Sequence, residues 1–200
     1  MKRRRPYRLG LTGSIGMGKS TTAKLFAEAG CDVWDADAAV HRLYGPGGAA
    51  VAPMGEAFPQ AIVDGAVSRE VLKRIIGADP GALKRIEAIV HPLVGEDRAG
   101  FIAKAASDII VLDIPLLFET GGNARMDAVA VVSTDAGTQR QRVLERGTMT
   151  EAQFEAILAK QVPDAEKRAQ ADYVIVTDTV EHARAQVQDV VRDIRERRLA

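Results

Sequence analysis

Gly13-Ser14-Ile15-Gly16-Met17-Gly18-Lys19-Ser20 fits the spacing G-x-x-x-x-G-K-[ST], the pattern of a loop that wraps phosphate. Backbone N–H groups of such a loop, with the positive end of a following helix, would surround a polyphosphate. Lys19 can reach the β- and γ-phosphates, and the Ser20 hydroxyl can ligate Mg²⁺. Gly13, Ser14, Ile15, Gly16, Met17, Gly18, Lys19, Ser20 and Thr21 are therefore the candidate nucleotide contacts. Without a strand before it and a helix after it, the same segment would be a glycine-rich turn with no ligand.

Further groups could act on a phosphoryl group. Asp35 and Asp37 follow a short hydrophobic run, and a carboxylate there could accept the proton of a phosphoryl-acceptor hydroxyl. A reference pKa near 3.9 makes Asp a feeble base toward an alcohol. A loose transition state loses that proton late, however, so the carboxylate mainly orients the hydroxyl. The plainer readings are two solvated loop carboxylates, or Asp35 as a helix cap. Asp113 ends a strand-like run, where a Walker-B-type Asp would hold the Mg²⁺ shell; it could equally be a strand-end turn residue. Arg140, Arg142 and Arg146 share one helical stretch, and the last two are four apart on one face. They could close over a triphosphate, or form a solvated basic face pairing with Glu145.

The elements that would position these groups are legible in pattern. Tyr7–Thr12 reads as a strand and Gly18–Ala27 as a helix, with Gly30 placed to end it. Cys31–Asp35 reads as a second strand, and 38–44 as a helix broken at Gly45-Pro46-Gly47-Gly48. From 49 to about 106 the chain reads as helical with no convincing strand. There Asp79-Pro80 predicts a helix start, and His91-Pro92 predicts its end. Strand signals return at Ile109–Ile114, Ala128–Val132 and Tyr173–Val176; continuous β-branched runs suit a parallel sheet covered on both faces. Helices are expected over 136–146, after a capping box at Thr150-Glu151-Ala152-Gln153, and along a stripe from Val180 to Ile194. The expected fold is α/β, a P-loop three-layer doubly wound parallel sheet of about five strands, with an inserted helical substrate domain and a helical lid. Its domains are a nucleotide-binding core at 1–44 and 107–200, a lid within about 138–165, and a helical acceptor domain at 45–106.

Composition narrows the class. The 200 residues hold 27 Lys plus Arg against 27 Asp plus Glu, which argues against a nucleic-acid surface. The basic run Met1-Lys2-Arg3-Arg4-Arg5 lacks the apolar stretch of a signal peptide and reads as a solvated terminus. No stretch suits a membrane span. Cys31 stands alone, which excludes an internal disulfide and a cysteine zinc site and suits a small buried hydrophobe. The chain reads as cytoplasmic, acting on a small molecule; a monomer is expected and an oligomer stays open. It has no N-K-x-D segment, against a GTPase, and no L-S-G-G-Q-like segment, against a transporter ATPase.

Several segments together resemble the dephospho-coenzyme A kinase family. They are Leu11–Ser20, Val33-Trp34-Asp35-Ala36-Asp37, Ile86-Glu87-Ala88-Ile89-Val90-His91-Pro92, Asp113-Ile114-Pro115-Leu116-Leu117-Phe118-Glu119 and Gln139–Arg146, followed by Gln161 and Ala171-Asp172. The resemblance implies ATP-dependent phosphorylation of the ribose 3′-hydroxyl of dephospho-coenzyme A, the last step of coenzyme A synthesis. It implies Asp37 as the base, Lys19 and Ser20 on the phosphates and Mg²⁺, Arg142 as a lid arginine, and Arg146 as its helper. His91 and Pro92 would shape the acceptor site, with Pro115, Leu116 and Leu117 under the acceptor and Glu119 nearby. The chain departs from the family pattern at Gly147, where Asp is common, and at Val176-Thr177-Asp178-Thr179, where an Asn is usual. It also lacks a Phe beside Ile75-Ile76. The alternatives are another P-loop metabolite kinase of the shikimate or gluconate type, and a non-catalytic nucleotide-binding regulator.

Overall fold

A computed structural model describes residues 5–199, so most of the basic N-terminal run lies outside the described residues. In chain order the elements are β1 (Tyr7–Thr12), α1 (Lys19–Glu28), β2 (Asp32–Asp35), α2 (Ala36–Tyr44), α3 (Val51–Ala57), β3 (Ile62–Val63), β4 (Ala66–Val67), α4 (Arg69–Ala78) and α5 (Ala82–Lys104). They continue with β5 (Ile109–Asp113), β6 (Ala128–Ser133), α6 (Ala136–Glu145), α7 (Glu151–Leu158), α8 (Asp164–Ala169), β7 (Tyr173–Val176) and α9 (Val180–Leu199). The chain divides into two compact units, 1–34 with 105–200, and 35–104.

The first unit is built on a five-stranded sheet in the order β2-β5-β1-β6-β7. The β1–β5, β1–β6 and β6–β7 pairs are parallel, with Leu11 opposite both Asp113 and Ala130. This register brings the C-terminal ends of β1 and β5 together, so the phosphate loop after Thr12 and the carboxylate of Asp113 share one edge of the sheet. Every residue of β5 and β6 is buried, as expected of strands covered on both faces. Alternation along β6 divides the core. Ala128, Ala130 and Val132 pack with Phe26 of α1 and Val187, Val191 and Ile194 of α9, while Val129 and Val131 pack with Leu117 on the other face. Cys31 belongs to the first cluster, and burial pushes its thiol up to about 11, consistent with an inert packing residue.

The second unit has its own core of Leu43, Tyr44, Met54, Phe58, Leu72, Ile86 and Val90. Its boundary falls after Trp34 rather than at the Gly45 breaker, because α2 packs against α5 within this unit. Two details differ from the sequence reading. A hairpin, β3 with β4, interrupts the helical block, and Ile62 pairs with Val67. Its turn residues Asp64 and Gly65 both have positive φ, which is the D-G signature of a tight hairpin turn. Helix α5 begins at Ala82 rather than Asp79, whose carboxylate instead accepts the Gly81 N–H at 2.8 Å. It then runs through Pro92 to Lys104. An internal proline costs a helix about 3 kcal/mol, and burial of Ile86 and Val90 with Leu93 and Val94 on both sides of it outweighs that cost.

Candidate active site

The loop between β1 and α1 is shaped by close approach to its neighbours. A Cβ at Gly13 would sit 2.3 Å from Val132 Cγ2 and 2.8 Å from the Val132 carbonyl oxygen, so only glycine lets the chain leave β1 against β6. Gly16 has φ +79° and lies so near α6 that a Cβ would stand 2.9 Å from the Gln139 carbonyl oxygen. Helix α1 begins after Gly18 without a side-chain cap, so its first amides and positive end are left to a ligand. The loop is also held from outside. The Ile15 N–H donates to Gln161 Oε1 at 3.2 Å, and the Ile15 carbonyl accepts from Gln139 Nε2 at 2.7 Å. The Met17 carbonyl accepts from the Thr177 hydroxyl at 2.7 Å. Ile15, expected among the nucleotide contacts, thus spends its own N–H on a glutamine.

Lys19 and Asp113 form an ion pair in which the carboxylate is only 1% exposed. Ser20, one residue on, is exposed in the first turn of α1. Among the described residues no group of three His, Cys, Asp or Glu side chains could cage a metal. Magnesium does not need one, since it keeps several waters and binds through one or two carboxylates plus phosphate oxygens. The hard oxygens of Ser20 and Asp113 fit that requirement.

Arg142 and Arg146 line a cavity of about 270 Å³ with Gly18, Thr21, Thr177 and Val180. Arg142 is docked there, donating to the Thr177 carbonyl at 2.5 Å and to its hydroxyl at 3.1 Å. Arg140 faces away from this group and pairs with Glu151. The bland pairing with Glu145 is taken by Gln141 instead.

The segment after β5 does two things. Leu116 is 44% exposed, whereas Leu117 is wholly buried against Val129 and Val131, so Leu117 supports the segment from below and presents no surface to a ligand. Thr12 donates to the Pro115 carbonyl at 3.0 Å, fixing the segment to β1. Glu119 accepts from the Val162 N–H at 2.9 Å and pairs with Lys167 at 2.8 Å, a lysine with no exposed side chain. Burial alone would raise the Glu119 carboxyl; Lys167 and the Val162 N–H outweigh it and hold the group below the ordinary carboxylate range.

In the second unit Asp35 accepts the Ala38 N–H at 2.9 Å, so this carboxylate caps α2. Asp37 is exposed in the first turn of that helix, and His91 and Pro92 are exposed on α5. Sequence reasoning noted Thr177 only as part of a departure from the family pattern, and Lys167 not at all. Thr177 carries a weak signal, a hydroxyl immediately after a strand at the ligand-bearing end of the sheet. Lys167 carries none, because a lysine in a short polar helix reads as surface.

A family model described as dephospho-CoA kinase matches residues 7–182. A dephospho-CoA kinase of Ruegeria pomeroyi is 71% identical over 94% of this chain and 96% of the relative. One of Cereibacter sphaeroides is 62% identical over 96% of this chain and 98% of the relative. The crystal structure of TT1252 from Thermus thermophilus superimposes with a TM-score of 0.84 at 30% identity, covering 95% of this chain and 98% of that one. With its phosphate loop, parallel sheet and near full-length likeness to these proteins, the chain belongs to the dephospho-CoA kinase family.

Proposed function

We propose that this chain transfers the γ-phosphoryl group of ATP to the ribose 3′-hydroxyl of dephospho-coenzyme A, giving coenzyme A and ADP. The observation that carries the reading is the uncapped start of α1 behind a glycine loop, with Lys19 and Asp113 at the same sheet edge, in a chain of this family. In the reaction the acceptor oxygen forms its bond to the γ-phosphorus as the bond to the β–γ bridging oxygen breaks. The hydroxyl proton passes to Asp37 late, so the carboxylate's main work is to aim the hydroxyl. The amides from Gly13 to Thr21 and the α1 terminus hold the triphosphate, and Lys19 leaves Asp113 for the β- and γ-phosphates. Ser20 and Asp113 would hold Mg²⁺, which supplies neutralisation of charge on the phosphate oxygens. Arg142 and Arg146, already in the cavity beside Thr21, add guanidinium charge where the transition state spreads its own.

His91 and Pro92, in the unit 35–104, and Pro115, Leu116 and Glu119, after β5, are assigned as contacts of the acceptor. The segment at about 138–165 acts as a lid, since water beside a bound triphosphate would otherwise hydrolyse it. No helix among the described residues is long and apolar enough to cross a membrane. The deciding experiment is ADP release from ATP and Mg²⁺ with dephospho-coenzyme A, shikimate or gluconate as acceptor. Release is expected with the first alone. Release with either sugar-like acid, or with none of the three, removes the reading.

A further inference from the structure

We infer that Gln139 and Gln161 act together as positioning residues, clamping the two peptide units that flank Ile15 and so fixing the phosphate loop in its anion-binding shape. The inference rests on the reading of that loop as the ATP site. Gln139 lies on α6 and is buried, and its Nε2 donates to the Ile15 carbonyl at 2.7 Å. Gln161 follows α7, and its Oε1 accepts the Ile15 N–H at 3.2 Å. The two ends of the segment 140–160 therefore meet on one residue, on the peptides either side of its Cα, one supplying a donor and the other an acceptor. The polarity of Ile15 dictates which way each amide faces.

The second glutamine is itself anchored. Val162, its neighbour, donates to Glu119, and Glu119 is paired with the buried Lys167. A path of direct contacts thus runs from the segment after β5, through Glu119 and residues 161–162, to the phosphate loop. Charge explains the choice of side chain. A lysine at either place would compete with Lys19 for phosphate, and a carboxylate would repel a triphosphate; a neutral amide holds the peptide without a field of its own.

The consequence is energetic preorganisation. Gly16 beside Ile15 has φ +79°, a glycine that allows many backbone conformations, so the peptides flanking Ile15, once unheld, can rotate and misdirect the amides that follow. Nucleotide then binds only the fraction of molecules with the loop correctly set, and its apparent Kd rises by the inverse of that fraction. The loss of one such hydrogen bond makes an effect of about tenfold the natural scale.

The test compares ATP dissociation constants of Gln139→Met, Gln161→Met, Gln139→Glu and Gln161→Glu with the unaltered chain, and amide exchange at Ile15 without nucleotide. Both Met variants should weaken ATP about tenfold, with the KM for dephospho-coenzyme A unchanged. The Glu variants should differ from one another. At 161 the carboxylate still accepts the Ile15 N–H, whereas at 139 it faces a carbonyl, so Gln139→Glu should bind ATP much the more weakly. In Gln161→Met the Ile15 amide should exchange on the order of tenfold faster. Met variants that bind ATP within twofold of the unaltered chain overturn the clamp, as do Glu variants that bind alike. If the unaltered chain binds no ATP, the site reading fails, and exchange at Ile15 still decides the clamp.

Discussion

Lys19 and Asp113 are ion-paired across the sheet edge from which the phosphate loop departs, the lysine 16% exposed and the aspartate 1%. Each partner compensates the charge of the other in a place where an isolated charge would be costly to bury. An arriving polyphosphate offers the ammonium a stronger partner, and the released carboxylate becomes available to a cation. On the proposed reading, the pair holds the phosphate ligand and the cation ligand with their charges mutually compensated until nucleotide arrives.

Asp113→Asn tests that exchange. The amide remains isosteric but cannot neutralise Lys19 or bind a cation strongly. The rate of phosphoryl transfer should fall by about two orders of magnitude, and the Mg²⁺ concentration needed for half-maximal rate should rise. A titration of initial rate against Mg²⁺ checks both. A variant with unaltered rate and unaltered Mg²⁺ response reduces Asp113 to a structural partner of Lys19.

Asp37→Asn addresses the acceptor. Asp35 is already committed to the Ala38 N–H, which leaves Asp37, exposed on the first turn of α2, as the available carboxylate. Its removal should lower kcat at least about a hundredfold, while the Kd for ATP stays within about twofold, since the phosphates are held elsewhere. Equilibrium binding of ATP beside steady-state turnover separates the two. Normal turnover would remove Asp37 as the group that aims the hydroxyl.

Much of this arrangement was legible in the chain itself, for physical reasons that differ by element. Strands β5 and β6 announce themselves because both faces are buried, so Ile109–Leu112 and Ala128–Val132 are unbroken apolar runs. The capping box at Thr150 and Gln153 closes as its spacing predicts, because it depends on local geometry alone. The hairpin of Ile62–Val67 was illegible since two-residue strands show no periodicity; Asp64-Gly65 was the available signal. Pro92 misled because its local preference is overruled by burial along α5. The site divides in the same way. The phosphate loop is contiguous and can be read, whereas Glu119–Lys167, Arg142–Thr177 and the glutamines on Ile15 join residues remote in sequence.

Glu119→Gln should expose the worth of its pair with Lys167. The variant leaves a lysine without exposed side-chain surface facing a neutral amide, a loss of about 3 kcal/mol at pH 7. The Glu119 carboxyl titrates below its ordinary 4.5 in the folded chain. Its contribution is therefore complete above about pH 4.5 and disappears as pH falls through the lower folded value. Urea unfolding of both chains between pH 7 and pH 3 should show the stability gap narrowing only at the acid end. A gap that stays constant to pH 3 would place the stabilisation in packing and not in the charge pair.

Arg142 and Thr177 provide the last test. The guanidinium uses two of its nitrogens on one residue, donating to the Thr177 carbonyl and hydroxyl, and that hydroxyl donates onward to the Met17 carbonyl of the phosphate loop. Lysine cannot reproduce the fork. Arg142→Lys should reduce kcat by roughly a hundredfold if the planar charge meets the transferring group, with a smaller change in the KM for ATP. Thr177→Val keeps the carbonyl but deletes the hydroxyl, so it should show the same bias toward kcat, reduced to about tenfold. The split between the two kinetic constants is the informative readout. A KM for ATP that rises in both variants while kcat holds would assign Arg142 to ground-state nucleotide binding, leaving Arg146 to meet the charge that develops during transfer.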